Sequence, residues 1–220
     1  MPLIVFDLDG TLVDSRQDLA TAVNLMLNEL GAAPLAEAEV TSMVGEGARV
    51  LVDRALEASG RSGQDAPRAL SRFLEIYDKH LLDRTRPYEG VPELLGQLRG
   101  VADLAVLTNK PTHASVRVLE GLGLKDHFIK VIGGDSEFPP KPDPAALLHL
   151  ARICHTGRDQ AVMVGDSRID LETARAAGVG CCLVRYGFGF PKNALPDDVL
   201  IAESPEAVAT LCLRVLRRAQ

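Results

Sequence analysis

Two carboxylates one residue apart, Asp7 and Asp9, follow the apolar run Leu3-Ile4-Val5-Phe6 and precede Gly10-Thr11. The run is short and rich in branched residues, the pattern of a strand buried on both faces of a parallel sheet. Side chains two apart on a strand share a face, so Asp7 and Asp9 emerge together at its carboxyl end. In open α/β sheets that edge is where ligands bind. Adjacent carboxylates repel and are stable together only with a cation or a shared proton between them. The simplest reading is a divalent-metal site; the alternative is a turn, which Asp and Gly also favour.

Three later segments offer chemistry of a related kind. The apolar run 104–107 ends in Thr108-Asn109-Lys110, just before Pro111 and a helical pattern. A hydroxyl with backbone N–H groups at a strand-to-helix turn makes a phosphate cradle. Lys141 lies in Pro139-Pro140-Lys141-Pro142-Asp143-Pro144, where restricted backbone angles hold an ammonium in place. A point charge there can stabilise a phosphoryl group and neutralise a nucleophilic carboxylate. The run 161–164 ends in Gly165-Asp166, with Asp170 four residues further on. That spacing shares one helix face and lets both carboxylates address one metal. Acidic residues at a helix start also offset the macrodipole, which is the competing reading.

The elements that must position these groups alternate between strand and helix. A helix runs from the Asp14-Ser15 cap through Leu19, Val23, Leu27 and Leu30 to Gly31. Helical patterns follow at 36–44, 48–58 and 69–82, with a polar loop at 60–67. Beyond Pro87, helices are expected at 91–98, 112–122, 144–153, 169–177 and 205–216, and strands at 104–107, 129–132, 161–164 and 181–184. Strands separated by single helices imply a doubly wound, mostly parallel α/β sheet. The predicted organisation is a catalytic core of residues 1–14 and 87–220, with an all-helical insertion at 15–86.

Composition narrows the function classes. A chain of 220 residues buries roughly 70% of its unfolded surface, enough for one core and a modest second lobe. Net charge is −6 with 4% aromatics and no Trp, which argues against nucleic acid as a partner. No apolar stretch is long enough to span a bilayer and no charged leader precedes one, so the expectation is a cytoplasmic protein without membrane attachment. Cys154, Cys181, Cys182 and Cys212 form no metal-type spacing and read as small buried hydrophobes. Oligomeric state is left between monomer and homodimer.

The string Phe6-Asp7-Leu8-Asp9-Gly10-Thr11-Leu12-Val13-Asp14, followed in order by Thr108, Lys141 and the Asp166/Asp170 pair, resembles the four motifs of the haloacid dehalogenase-like hydrolases. That resemblance implies a phosphatase with Asp7 as nucleophile, Asp9 as acid/base, Thr108 as phosphate-binding hydroxyl and Lys141 as phosphate-stabilising lysine. It implies Mg²⁺ held by the Asp7 carboxylate, the Asp9 carbonyl and Asp166, with Asp170 holding a metal-bound water. Gly10 and Asn109 are further candidate phosphate-binding positions. The segment Met43-Val44-Gly45-Glu46-Gly47-Ala48-Arg49 and the return Pro87-Tyr88-Glu89-Gly90-Val91-Pro92 resemble the phosphoglycolate phosphatases of that family. The implied partner is a small phosphorylated metabolite, 2-phosphoglycolate, with Arg49 as candidate partner of its carboxylate.

Alternatives remain open on sequence alone. A phosphomutase of the β-phosphoglucomutase kind has the same core and cap and keeps its phosphoenzyme longer. A broad sugar or nucleotide phosphatase, or a small pyrophosphatase, uses the same motifs. A non-catalytic phosphate-binding module would not require Asp7, Asp9, Lys141 and Asp166 together.

Overall fold

The computed structural model describes residues 1–61 and 66–218. Its centre is a six-stranded parallel sheet of β1 (Leu3–Phe6), β4 (Asp103–Leu107), β5 (Lys130–Ile132), β6 (Ala161–Gly165), β7 (Gly180–Val184) and β8 (Leu200–Ala202), in the order β5-β4-β1-β6-β7-β8. A two-residue antiparallel pair, β2 (Val13–Asp14) with β3 (Arg86–Pro87), stands apart from it.

Strand β1 shows why the sequence folds this way. All four residues are fully buried, and alternate side chains enter different cores. Ile4 and Phe6 join Leu104, Val106, Val162 and Val164 on one face. Leu3 and Val5 join Ala105, Leu107, Ala161 and Met163 on the other. Burying each large apolar side chain contributes about 1.5–3 kcal/mol, so the period-2 division secures the strand from both sides. Helices α5 (Val91–Leu98), α6 (Thr112–Gly121) and α9 (Pro205–Arg218) supply the first core. The second is covered by α7 (Ala145–Ile153) and α8 (Arg168–Ala177). The result is the doubly wound α/β sheet expected, with its six main strands entirely parallel.

Four helices lie between β2 and β3 in the chain: α1 (Arg16–Glu29), α2 (Glu37–Thr41), α3 (Ala48–Ala58) and α4 (Ala66–His80). Helix α1 packs against the other three, and α3 against α4. The buried residues of α3, Leu51, Val52, Ala55 and Leu56, are the predicted apolar stripe.

Several local expectations are corrected. Ser15 occupies the N-cap position of α1, but its hydroxyl makes no capping bond and points to Asp9 instead. Helix α4 begins at Ala66, ahead of Pro67, because proline is tolerated in a first turn whose N–H groups lack partners anyway. Residues 62–65 of the expected loop lie outside the described residues. Strands β2, β3 and β8, at two or three residues, are too short to leave a periodic signal. Among the described residues, no helix is long and apolar enough to cross a membrane.

Candidate active site

Strand register brings the sheet-edge residues together. Phe6 lies beside Val106 on β4 and Val164 on β6, so the next residues on these three strands share one edge. β1 is also where the sheet order reverses, with β4 and β5 on one side and β6 to β8 on the other, the place where such sheets bind ligands.

Asp7, Asp166 and Asp170 form one buried cluster whose carboxylate oxygens lie within 4.8 Å of one another. Lys141 enters it with its side chain only 1% exposed, 3.0 Å from Asp7 Oδ2 and 2.6 Å from Asp170 Oδ1. Burial pushes the Asp7 carboxyl up to about 6, against the pull of Lys141 and with the repulsion of Asp170 added. Burial also drives Asp166 well above the usual carboxylate range, with Asp170 and Asp7 adding to it. For Lys141, burial disfavours the charge, but Asp170 and Asp7 outweigh it and keep the ammonium above its ordinary value. One lysine among three carboxylates leaves the cluster short of positive charge.

The residues therefore fit a hard divalent cation such as Mg²⁺: every donor is an oxygen, and a cation supplies the positive charge that burial and mutual repulsion leave Asp7 and Asp166 without. Asp170 is committed otherwise. Its Oδ1 accepts from Lys141, and its Oδ2 accepts the Ser167 N–H and hydroxyl at 3.0 and 2.7 Å in a capping box that opens α8. In this structure Asp170 holds Lys141 and opens α8, while remaining within the carboxylate cluster that could hold a metal.

Asp9 occupies a second, adjoining cluster. Its Oδ1 accepts the Ser15 hydroxyl at 2.6 Å, and both its oxygens accept from Lys110 Nζ at 3.1 Å. The same ammonium donates to the Tyr77 phenol of α4 and lies 4.4 Å from the centre of that ring. Burial opposes the Lys110 charge, but Asp9 and Tyr77 more than compensate and raise it above the ordinary lysine value. Tyr77 itself is pushed up to about 12 by burial. Sequence reading noted Lys110 only within the Thr-Asn-Lys trio and Tyr77 only as an apolar position of α4.

The phosphate-binding candidates divide. Thr108 is buried at the cleft, and its Oγ1 accepts the Lys110 N–H at 3.3 Å. Gly10 has φ +84°, and a β-carbon there would run into the Asp166 carboxylate, so glycine is required for close approach. The Asn109 amide is already engaged: its Oδ1 accepts the Lys141 N–H at 2.8 Å, and its Nδ2 donates to the Lys141 and Gly45 carbonyls at 3.0 Å. The Asn109 side-chain amide therefore brackets Lys141, with both its N–H groups already engaged. Arg49 is not brought into the cleft; its side chain is 59% exposed and pairs with Asp53 at 3.0 Å.

The segment 185–190, part of the Gly/aromatic stretch 185–192 whose role is not readable from sequence, walls the site. Gly189 N–H donates to Asp166 Oδ2 at 2.7 Å, the Tyr186 hydroxyl donates to the Thr11 carbonyl at 3.1 Å, and a side chain at Gly187 would strike Gly10 and Asp166. Its Phe188, with Leu51 and Phe73 of the helices, lines a cleft of about 650 Å³, open mouth included.

A second missed group lies at the helical segment's exit. Asp18 of α1 is buried and accepts the Arg84 and Thr85 N–H groups and the Thr85 hydroxyl at 2.7–3.0 Å. It ties the first helix to the strand leading back to the sheet.

Comparison with known proteins agrees with this architecture. The profile of the haloacid dehalogenase-like hydrolases matches residues 4–184. The chain is 41% identical over 189 residues to a phosphoglycolate phosphatase of Chromobacterium violaceum, covering 84% of this chain and 85% of that one. It is 47% identical over 193 residues to a phosphoglycolate phosphatase of Rhodospirillum rubrum, covering 84% and 80%. A crystal structure of a predicted phosphoglycolate phosphatase from Haemophilus somnus superposes with a TM-score of 0.89 at 31% identity, covering 96% and 97%. The chain belongs to the haloacid dehalogenase-like hydrolase family. Within it, the relatives make this enzyme a phosphatase.

Proposed function

We propose that this phosphatase hydrolyses a small phosphomonoester, 2-phosphoglycolate, to glycolate and phosphate through an aspartyl-phosphate on Asp7. The observation that carries the reading is the buried Asp7 carboxylate beside Lys141, with the Asp9 carboxylate two residues along the chain in the same cleft. The choice of 2-phosphoglycolate is supported by the names of relatives 41–47% identical to this chain.

In this reading Asp7 attacks phosphorus in line, forming an O–P bond as the bond to the leaving oxygen breaks. Asp9 delivers its proton to that oxygen, which would otherwise leave as a poor alkoxide. Lys141 spends N–H groups on Asp7 and Asp170 and keeps a third for a phosphoryl oxygen. Thr108 adds a hydroxyl donor. Asp9, now ionised, then takes a proton from the attacking water, and Asp7 is regenerated as phosphate departs. Asp7, Asp166 and the Asp9 carbonyl would hold Mg²⁺, which when bound supplies positive charge against the phosphate dianion.

We read residues 15–86 as a cap on the core of 1–14 and 87–220, hinged at the β2–β3 pair, where only two strand residues on each side join the segments. Such a cap excludes water during the first transfer and admits it for the second. The test is phosphate release from 2-phosphoglycolate beside glucose 1-phosphate, glucose 6-phosphate, a nucleotide monophosphate and pyrophosphate, with Mg²⁺ and with chelator. A dominant Mg²⁺-dependent rate on 2-phosphoglycolate is the expected result. Activity spread evenly over the panel would overturn the substrate assignment, and a stable phosphoryl-Asp7 without turnover would point to a mutase.

A further inference from the structure

Lys110 is buried, charged and unexplained by the chemistry above. Its side chain is 3% exposed, and its three donors all have acceptors in Asp9 Oδ1, Asp9 Oδ2 and the Tyr77 phenol. An ammonium has three N–H groups, so this lysine has none left for a substrate anion. Lys141, by contrast, makes only two such contacts. Lys110 and its two partners come from three places: the lysine from the turn after β4, Asp9 from the turn after β1, and Tyr77 from α4. Asp9 is further fixed by the Ser15 hydroxyl at the start of α1.

We propose that Lys110 is a positioning residue that fixes the Asp9 carboxylate toward the leaving-group oxygen, with Tyr77 bracing it from the helical segment. The proposal rests on the reading of Asp9 as proton donor. Without the ammonium, the Asp9 side chain keeps one hydrogen bond, from Ser15, and is free to rotate about it. With the ammonium and phenol in place, both oxygens are fixed, and the arrangement is complete only while α4 packs over the sheet edge. A proton donor displaced by about 1 Å costs about 10²-fold in rate.

The test compares two esters that differ in their need for a proton: 2-phosphoglycolate, whose alkoxide must be protonated, and acetyl phosphate, whose acetate leaves without one. The quantity is kcat/KM, which covers the steps through formation of the phosphoenzyme. Lys110→Met is expected to lose about 10²-fold on 2-phosphoglycolate and several times less on acetyl phosphate, with KM little changed. Asp9→Asn is expected to give the same pattern, more steeply. Tyr77→Phe keeps the ring and removes one acceptor, so it should show the pattern at about a tenth of the size; it also carries the test if Lys110→Met does not fold. Equal losses on both esters, or a rise in KM alone, would overturn the positioning role. If Asp9→Asn itself fails to discriminate between the esters, the proton-donor reading falls and this proposal falls with it. Discrimination by Asp9→Asn but not by the lysine or tyrosine variant sinks the proposal alone.

Discussion

Two buried lysines each pair with a carboxylate of one cleft, Lys141 with Asp7 and Lys110 with Asp9, and they differ in what holds them. Lys141 contacts Asp7 and Asp170, groups from the carboxyl edge of the sheet, and its backbone is clamped by Asn109 from the same edge. Lys110 reaches across to Tyr77 on α4, and its partner Asp9 is held by Ser15 at the start of α1. The first cluster is set by strand register and packing on both faces of the sheet. The second is complete only when the helical segment is in place. The first cluster thus lies wholly at the sheet edge, while the second spans the sheet edge and the helical segment.

Breaking the sheet-edge cluster at its centre should have the largest effect. Asp7→Asn is expected to lower kcat by about 10⁴-fold or more, with circular dichroism unchanged, measured by phosphate release. Lys141→Met should cost about 10²–10³-fold in kcat. It should also lower stability by about 3–5 kcal/mol in urea unfolding, because Asp7 and Asp170 lose their counter-charge. A stability loss without a rate loss would make Lys141 purely structural and erase the distinction drawn between the lysines.

Asp18, which ties α1 to the residues leading into β3, tests the other side of the comparison. Asp18→Ala strands the part-buried Arg84 N–H and the buried Thr85 N–H and hydroxyl and should cost about 3 kcal/mol of stability, leaving the metal requirement unchanged. Mg²⁺ sharpens the contrast: at a hundredfold above its Kd it should stabilise the wild type by about 2.7 kcal/mol. Asp18→Ala should keep that increment and Asp166→Asn should lose it, as read from melting temperatures. The smallest effect is expected at Arg49. Arg49→Ala should change kcat/KM on every phosphoester by less than about twofold and stability by under about 0.5 kcal/mol, as for an exposed surface position.

The sheet-edge cluster was legible in the sequence because each of its parts is local. An apolar run ending in Asp7 and Asp9, another ending in Asp166, and a lysine framed by prolines all announce themselves within a few residues. The adjoining cluster was not legible, because its chemistry is in the pairing. Lys110 meets Asp9 across 101 residues and Tyr77 across 33, and on α4 the tyrosine satisfies the apolar periodicity regardless of its hydroxyl. Asp18 likewise reads as an acidic first-turn residue until its partners 66 and 67 residues away are known. Arg49 reads differently in sequence and in structure: a cation beside a glycine loop invites a ligand, but its guanidinium is taken by the i,i+4 carboxylate of Asp53. Segment 185–190 carries its information in backbone, Gly189 N–H and the space at Gly187, which side-chain pattern does not encode.

The central position of β1 has a consequence for how the chain is made. Its neighbours are β4, which begins at Asp103, and β6, which begins at Ala161. Strand β1 is made before both of its neighbours and is completed on its second side only once residues beyond Ala161 have followed. At about 5–20 residues per second, four adjacent apolar side chains wait on the order of ten seconds or longer for their permanent neighbours. The hydrophobicity that makes Leu3–Phe6 the centre of the finished sheet is thus, until β6 is made, an apolar edge without its second neighbour, the kind of surface that favours association during synthesis.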